Sequence, residues 1–254
     1  MDNKNYTDIN SKIIDRWIKK GWEWGIPISH DEYVKAKNGG WDVLLTPTKY
    51  VPKAWFPDLR GKKLLGLASG GGQQMPVFTA LGADCTVLDY SDEQLSSEKF
   101  VAERENYKIE IVKADMTKIF PFKDEAFDII FHPVSNCYIE DVCHVWNECF
   151  RVLKSGGILM AGMDNGLNFL FDNDEEYPLI VTNKLPFNPM KNTDLLKKLE
   201  EEDDGIQFSH TMEEQIGGQL KAGFILKDLY EDFNNAGVLK DHAPSFIATL
   251  SVKP

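Results

Sequence analysis

The sequence predicts an α/β protein built around a parallel sheet, and three observations carry that reading. Between residues 62 and 163, short apolar runs alternate with helical stretches, the rhythm of right-handed βαβ units. The first of these runs leads into a glycine cluster, Ser69-Gly70-Gly71-Gly72, where a strand must turn sharply into a helix. At 254 residues with 43% hydrophobic side chains, the chain can bury a core without metal or disulfide staples.

The elements follow in order. Ile9, Ile13 and Trp17, with Ile14 and Ile18, recur at three- and four-residue spacing and predict an amphipathic helix ending near Gly21. Pro and Gly punctuation from Gly25 to Pro57 predicts short helices and loops. KKLLGLA (62–68) reads as a strand, followed by a helix from about Gln73 to Leu81. DCTVLDY (84–90) is a second strand, and Ser91 before Asp92-Glu93-Gln94 caps the next helix. IEIVKA (109–114) and FDIIFH (127–132) are further strands. Asp141 to Leu153 is a helix whose Val142, Val145, Trp146, Cys149, Val152 and Leu153 share one face. Lys154-Ser155-Gly156-Gly157 is expected to stop it, ahead of a fifth strand, ILMAGM (158–163). Residues 164–210, rich in Asn, Asp, Glu and Pro, break the rhythm, and a stretch of that length reads as an inserted lid. Its acidic run, Glu200 to Asp204, reads as a solvated face. A helix around 211–222 and strands around 224–231 and 246–252 complete the chain.

Charge narrows the partners. With 28 Lys and Arg against 40 Asp and Glu, the net charge is −12, which disfavours nucleic acid and anionic membrane surfaces. The first twenty residues have no apolar core of a signal peptide, and no stretch approaches 18 apolar residues. The four cysteines, Cys85, Cys137, Cys143 and Cys149, form no C-x-x-C pair, and with His132 and His144 they match no common zinc spacing. The expectation is a cytoplasmic, metal-free protein with a small-molecule partner.

The chemistry lies in the glycine cluster and the acid that follows it. Gly70 lets the backbone approach a ligand, and Asp89, 19 residues on at the end of the next strand, suits a ribose diol. The alternatives are a nucleoside-containing cofactor site or an ordinary tight βα turn. The dinucleotide fingerprint fails, because its third glycine falls on Met75.

With these elements in place, the chain resembles the class I S-adenosylmethionine-dependent methyltransferases. LLGLASGGG is similar to their first motif, Asp89 to the acid closing the second strand, and Ala114-Asp115-Met116 to the third-strand acid. FPFKDEAFDIIFHPVSNCYIEDV (120–142) and WNECFRVLKSGGILMAG (146–162) are similar to the later blocks. The likeness covers about 60–165. Two positions depart from the family pattern: Gly66 stands where an acid is usual, and Ala68 where a glycine is usual. His132-Pro133-Val134-Ser135 stands in place of the Asn/Asp-Pro-Pro-Tyr of many nucleic-acid and protein amino-methyltransferases.

The resemblance implies a doubly wound, mostly parallel seven-stranded sheet of Rossmann-like type with the last strand antiparallel. It implies a single domain, 1–254: an N-terminal cap (1–58), a cofactor-binding half (59–163), a lid-like insertion after strand five (164–210), and a C-terminal helix and strand pair (211–254). The implied activity is methyl transfer from S-adenosylmethionine, leaving S-adenosylhomocysteine, to a small-molecule acceptor. By position, Ala68, Ser69, Gly70, Gly72 and Gln73 cradle the cofactor. Asp89 binds the ribose hydroxyls with Tyr90 and Ser91 beside it. Ala114, Asp115 and Met116 meet the adenine, and His132, Pro133 and Val134 close the pocket near the sulfonium. His132 is either the general base or a structural histidine. Tyr138, His30 and Phe169 are candidate acceptor contacts. The five tryptophans of residues 1–60 serve either as ring-face contacts or as core anchors. A non-catalytic binder of the same cofactor and an NAD-dependent oxidoreductase are the rival readings.

Overall fold

The computed structural model describes residues 5–172 and 176–254. The first four residues of the expected cap and Asn173 to Glu175 of the expected insertion lie outside the described residues, as does the side chain of Glu200. Seven strands form one sheet in the order β3-β2-β1-β4-β5-β7-β6. They are β1 (Lys63–Leu67), β2 (Asp84–Asp89), β3 (Glu110–Lys113), β4 (Phe127–His132), β5 (Leu153–Asp164), β6 (Ile225–Asp232) and β7 (Phe246–Val252). β1 to β5 run parallel, while β7 pairs antiparallel with both β5 and β6. The predicted doubly wound sheet is therefore present, its order reversing at β1/β4.

Alternation along each strand sorts the apolar side chains onto two faces. Leu64, Ile129 and Met160 enter one core with Phe78 and Val77 of α3 (Gln74–Ala80), Leu95 of α4 (Asp92–Glu105), and Leu45 and Trp55 from the N-terminal region. Leu65, Ile130 and Leu159 face the other way, onto Val145 and Trp146 of α5 (Val142–Val152) and Ile216 of α7 (Met212–Ala222). Side-chain caps fix the helix starts: Ser91 Oγ accepts from Gln94 N at 3.1 Å, and Thr211 with Glu214 closes a reciprocal capping box on α7.

One boundary differs from the sequence reading. α5 ends at Val152, and Leu153 already pairs with Phe127 in the sheet. Lys154 to Gly157 do not stop the helix. They form an irregularity inside β5, where the register moves from Phe127↔Leu153 to Ile129↔Ile158 and Gly156 adopts φ +76°.

The N-terminal region folds over the carboxyl edge of the sheet. α1 (Tyr6–Lys19) is followed by a short turn at Glu23–Gly25 and by α2 (His30–Lys37). Asn10 of α1 holds Ile206 at the end of the insertion in both directions, with Ile206 N donating at 2.8 Å and Asn10 Nδ2 donating back to Ile206 O at 2.9 Å. Leu45 presses its carbonyl onto Gly162 of β5, where an added Cβ would lie 2.0 Å from that oxygen, and Val134 N donates to the same carbonyl at 3.1 Å. The insertion carries α6 (Thr193–Glu201) and short turns at Leu167–Leu170 and Pro189–Lys191.

Beneath the glycine turn, Glu98 of α4 is fully buried. Tyr107 Oη donates to its Oε1 at 3.0 Å, and Oε2 has no partner among the described residues. Burial pushes its carboxyl up to about 7. Because the folded value lies above the unfolded one, Glu98 carries no penalty near pH 4 and destabilises progressively as pH rises through 7. Glu98→Gln is expected to raise the melting temperature at pH 8 by about 2–4 °C, with a smaller gain at pH 5. Thermal unfolding at the two pH values checks this, and equal gains at both would remove the linkage.

Candidate active site

The site is built from the loops that leave the carboxyl ends of five neighbouring strands. They open into one partly closed cavity of about 350 Å³ with mostly apolar walls, within the usual range for ligand pockets. Along the sheet edge the polar groups fall in strand order: Asp115 after β3, Asp89 at the end of β2, Ser69 and Gly70 after β1, Ser135 after β4, and Asp164 at the end of β5. Four interstrand spacings separate the first from the last, about 19 Å.

Asp89 is held by backbone alone. Its Oδ1 accepts from Tyr90 N at 2.7 Å and Ser91 N at 3.1 Å, and its Oδ2 from Gly70 N at 3.0 Å. Burial raises its carboxyl above the ordinary range, against the pull of those three donors. At Gly70 an added Cβ would sit 2.7 Å from Gln94 Cβ and 3.0 Å from Asp89 Oδ2, so only glycine fits the turn. Ala68 stands at φ +46°, a left-handed conformation that suits the glycine usual at that position. Gly66 is equally well explained: a Cβ there would lie 2.5 Å from Met75 Sδ, so the α3 methionine occupies the space of the customary acid.

α1 roofs the adjoining end. Thr7 Oγ1 donates to Asp115 Oδ2 at 2.8 Å, Tyr90 Oη donates to Asp8 Oδ1 at 2.5 Å, and Ser11 Oγ donates to the Tyr90 carbonyl at 2.8 Å. Asp115 Oδ1 receives Thr117 N and Oγ1, both at 2.8 Å. Gln73, on the wall, spends its amide on the carbonyls of Glu23 and Ile26.

The structure brings most of the expected residues together. Ala68, Ser69, Gly70 and Gln73 line the cavity from the first loop, and Asp89, Tyr90 and Ser91 from the second. Ala114, Asp115 and Met116 line it from the third, Pro133, Val134 and Tyr138 from the fourth, and Phe169, stacked on Phe187, from the insertion. Three expected residues lie elsewhere. Gly72 packs against α4, where an added Cβ would meet Val101 at 2.8 Å. His30 sits at the surface with its ring on Glu105, 2.9 Å away. His132 is fully buried beneath the cavity floor: Nδ1 lies 2.9 Å from Leu67 O, Nε2 lies 2.8 Å from Asn136 Oδ1, and the ring meets Trp146 edge-on. Burial lowers its pKa, which favours the neutral ring, and its place under the floor, fully buried and off the cavity wall, keeps it from meeting an acceptor's proton.

Other lining residues escaped the sequence reading. Thr7, Thr46, Asn168, Gln207 and Asn234 arrive from separate loops with no shared spacing. Asp164 had a signal, an acid directly ending the apolar run ILMAGM, as Asp89 ends its own strand. Trp22 and Trp24 line the cavity, and with Trp17 and Tyr138 they border a wider hollow that adjoins it, whereas Trp55 is a core anchor.

Known proteins carry the same pattern. Residues 65–161 match the family model described as a methyltransferase domain. The Bacillus subtilis (strain 168) protein named "Uncharacterized methyltransferase YbaJ" is 44% identical over 248 residues, covering 96% of this chain and 97% of its own. The chain belongs to the class I S-adenosylmethionine-dependent methyltransferases. Solved structures share the fold at low identity. The S-adenosylmethionine-dependent methyltransferase from Mesorhizobium loti superposes with a TM-score of 0.58 at 17% identity, over 79% of this chain and 94% of that one. Geranyl diphosphate C-methyltransferase from Streptomyces coelicolor A3(2), crystallised with S-adenosylhomocysteine, gives 0.53 at 12% identity, over 78% and 75%. This methyltransferase thus transfers a methyl group from S-adenosylmethionine to an acceptor. Its own residues fit that cofactor: Asp89 and Asp115 line the cavity beside the glycine turn, and Gln94 Oε1, buried on the cavity wall, has no partner among the described residues.

Proposed function

We propose that this methyltransferase acts on a small-molecule acceptor, bound at the β4–β5 end of the cavity while the cofactor takes the β1–β3 end. One observation carries the reading. The cavity is a mostly apolar recess whose described lining residues include no Lys, Arg or His, so it offers a small organic molecule apolar contact and offers phosphate-rich chains nothing. Bound S-adenosylmethionine supplies a methyl carbon already activated by positive sulfur. In this reading the Asp89 carboxylate receives the ribose hydroxyls, and Asp115 and Met116 hold the adenine. Gly70 and Ser69 admit the methionyl part. Pro133 and Val134 border the transferring carbon and help exclude water. His132 acts as a positioning residue that ties the β4 loop to the Leu67 carbonyl of β1 and to Asn136. Tyr138 and Phe169 are walls of the acceptor end. Aligning nucleophile, carbon and sulfur supplies much of the rate in such a displacement.

The 1–254 chain works as one unit in this reading, with the 1–58 cap and the 164–210 insertion shaping the acceptor end. A cytoplasmic location agrees with the absence, among the described residues, of a helix long and apolar enough to cross a membrane. Calorimetric titration of ligand-free protein with S-adenosylmethionine, S-adenosylhomocysteine and NAD tests the cofactor assignment. Micromolar binding of the two sulfur compounds and none of NAD is expected, and folded protein that ignores both sulfur compounds would refute it.

A further inference from the structure

Asp164 is the acid that the cofactor assignment leaves unused. It is the last residue of β5, three positions beyond Ala161, the partner of His132. Three residues of strand carry it about 10 Å past the level of that histidine, and there it lines the cavity while only 6% exposed. Gly166 N donates to Oδ1, and Asn168 Nδ2 donates to Oδ2 at 2.7 Å, its own oxygen receiving Asn234 Nδ2 at 2.8 Å. A carboxylate offers about four acceptor sites, so this pair of donors orients Asp164 and leaves half of its capacity free.

The surrounding groups leave Asp164 as the proton acceptor. Cys137, from the turn after β4, faces it, and burial keeps that thiol protonated. Burial does the same to the Tyr138 hydroxyl. β7 contributes Phe246, paired with Asp164 across the sheet, and the segment after β6 contributes Asn234, both uncharged. Asp89 and Asp115 belong to the opposite end of the cavity, at least three strand spacings or about 14 Å away.

We propose that Asp164 binds the nucleophile of the acceptor and takes its proton, so that the acceptor is a hydroxyl or amine compound bearing no acidic group. The inference rests on the placement of cofactor and acceptor given under Proposed function. In the step, the lone pair of the acceptor's oxygen or nitrogen forms the bond to the methyl carbon. The carbon–sulfur bond breaks with its electron pair kept by sulfur, which becomes a neutral thioether, and the displaced proton passes to the Asp164 carboxylate. Burial holds that carboxyl at about 7, matched to taking up and releasing a proton near neutrality. An anionic acceptor would meet this carboxylate with no cation among the described lining residues to offset it.

The test uses the full-length protein saturated with S-adenosylhomocysteine and three probes of one shape and different charge: benzylamine, benzyl alcohol and benzoate. With aspartate carboxyls labelled with carbon-13, the resonance lost in Asp164→Asn is followed against pH by NMR. Its midpoint is expected to fall by about one pH unit when benzylamine binds, because a cation favours the ionised form. Benzylamine and benzyl alcohol are expected to bind about tenfold or more tighter than benzoate, and Asp164→Asn to weaken benzylamine about tenfold while S-adenosylhomocysteine affinity stays within about twofold. A midpoint that ignores benzylamine, or benzoate binding as tightly as the amine, overturns the proposal; the wild-type affinities for the three probes decide even where the variant fails to fold. Equal weakening of benzylamine and S-adenosylhomocysteine by Asp164→Asn would instead assign Asp164 to the cofactor. Failure of the wild type to bind S-adenosylhomocysteine would refute the underlying cofactor reading, and the proposal with it.

Discussion

Replacing Asp89 with alanine is expected to weaken S-adenosylmethionine and S-adenosylhomocysteine binding about 10–100-fold, or about 1.5–3 kcal/mol, the scale of hydrogen bonds to a charged group. Two losses combine. The ribose hydroxyls lose their carboxylate, and the amides of Gly70, Tyr90 and Ser91 lose the acceptor that fixes the turn. Asp89→Asn separates the two, since an amide oxygen still accepts from the loop but carries no charge. Calorimetry on both variants, with circular dichroism to confirm folding, reads the result. Affinity within about twofold of wild type in the alanine variant would remove the ribose assignment.

Restoring the customary acid by Gly66→Asp is expected to damage the fold rather than improve the site. The new Cβ would meet Met75 Sδ at 2.5 Å and Cε at 2.7 Å, and Met75 is fully buried in the core of the α3 face. Overpacking and an unpaired buried carboxylate together cost about 3 kcal/mol or more. Met75→Ala alone opens a cavity costing about 2–5 kcal/mol. Combined with Gly66→Asp it gives the new side chain space, so the double variant should be more stable than the sum of the two losses predicts. Urea unfolding of the four proteins measures that coupling, and additivity within about 0.5 kcal/mol would show that Met75 does not fill the acid's place.

The end of the site proposed for the cofactor was legible because its markers are local. A strand, a glycine turn and an acid at the next strand's end all follow from spacing along the chain, and β1 to β4 appeared at nearly their observed limits. The start of β5 was not legible. Leu153 is apolar enough for a helix face or a strand, and only its pairing with Phe127 decides the matter. His132 was placed at the right strand end but on the wrong side. Phe131 points into the core on the α3 side, so the alternation turns His132 towards Trp146 of α5 and beneath the cavity. The rest of the cavity draws on Thr46, Asn168, Gln207 and Asn234, which meet only through tertiary folding and leave no periodic trace.

The attachment of α1 has a thermodynamic corollary. Thr7 and Asp8 grip Asp115 and Tyr90, the same residues assigned to the adenosine. With the adenosine placed as proposed, helix docking and nucleoside retention draw on one set of groups and are linked equilibria. Whatever free energy a docked α1 adds to nucleoside affinity, the nucleoside returns in holding the helix down. On that placement, residence time of the spent product becomes a property of the amino-terminal helix as much as of the glycine turn.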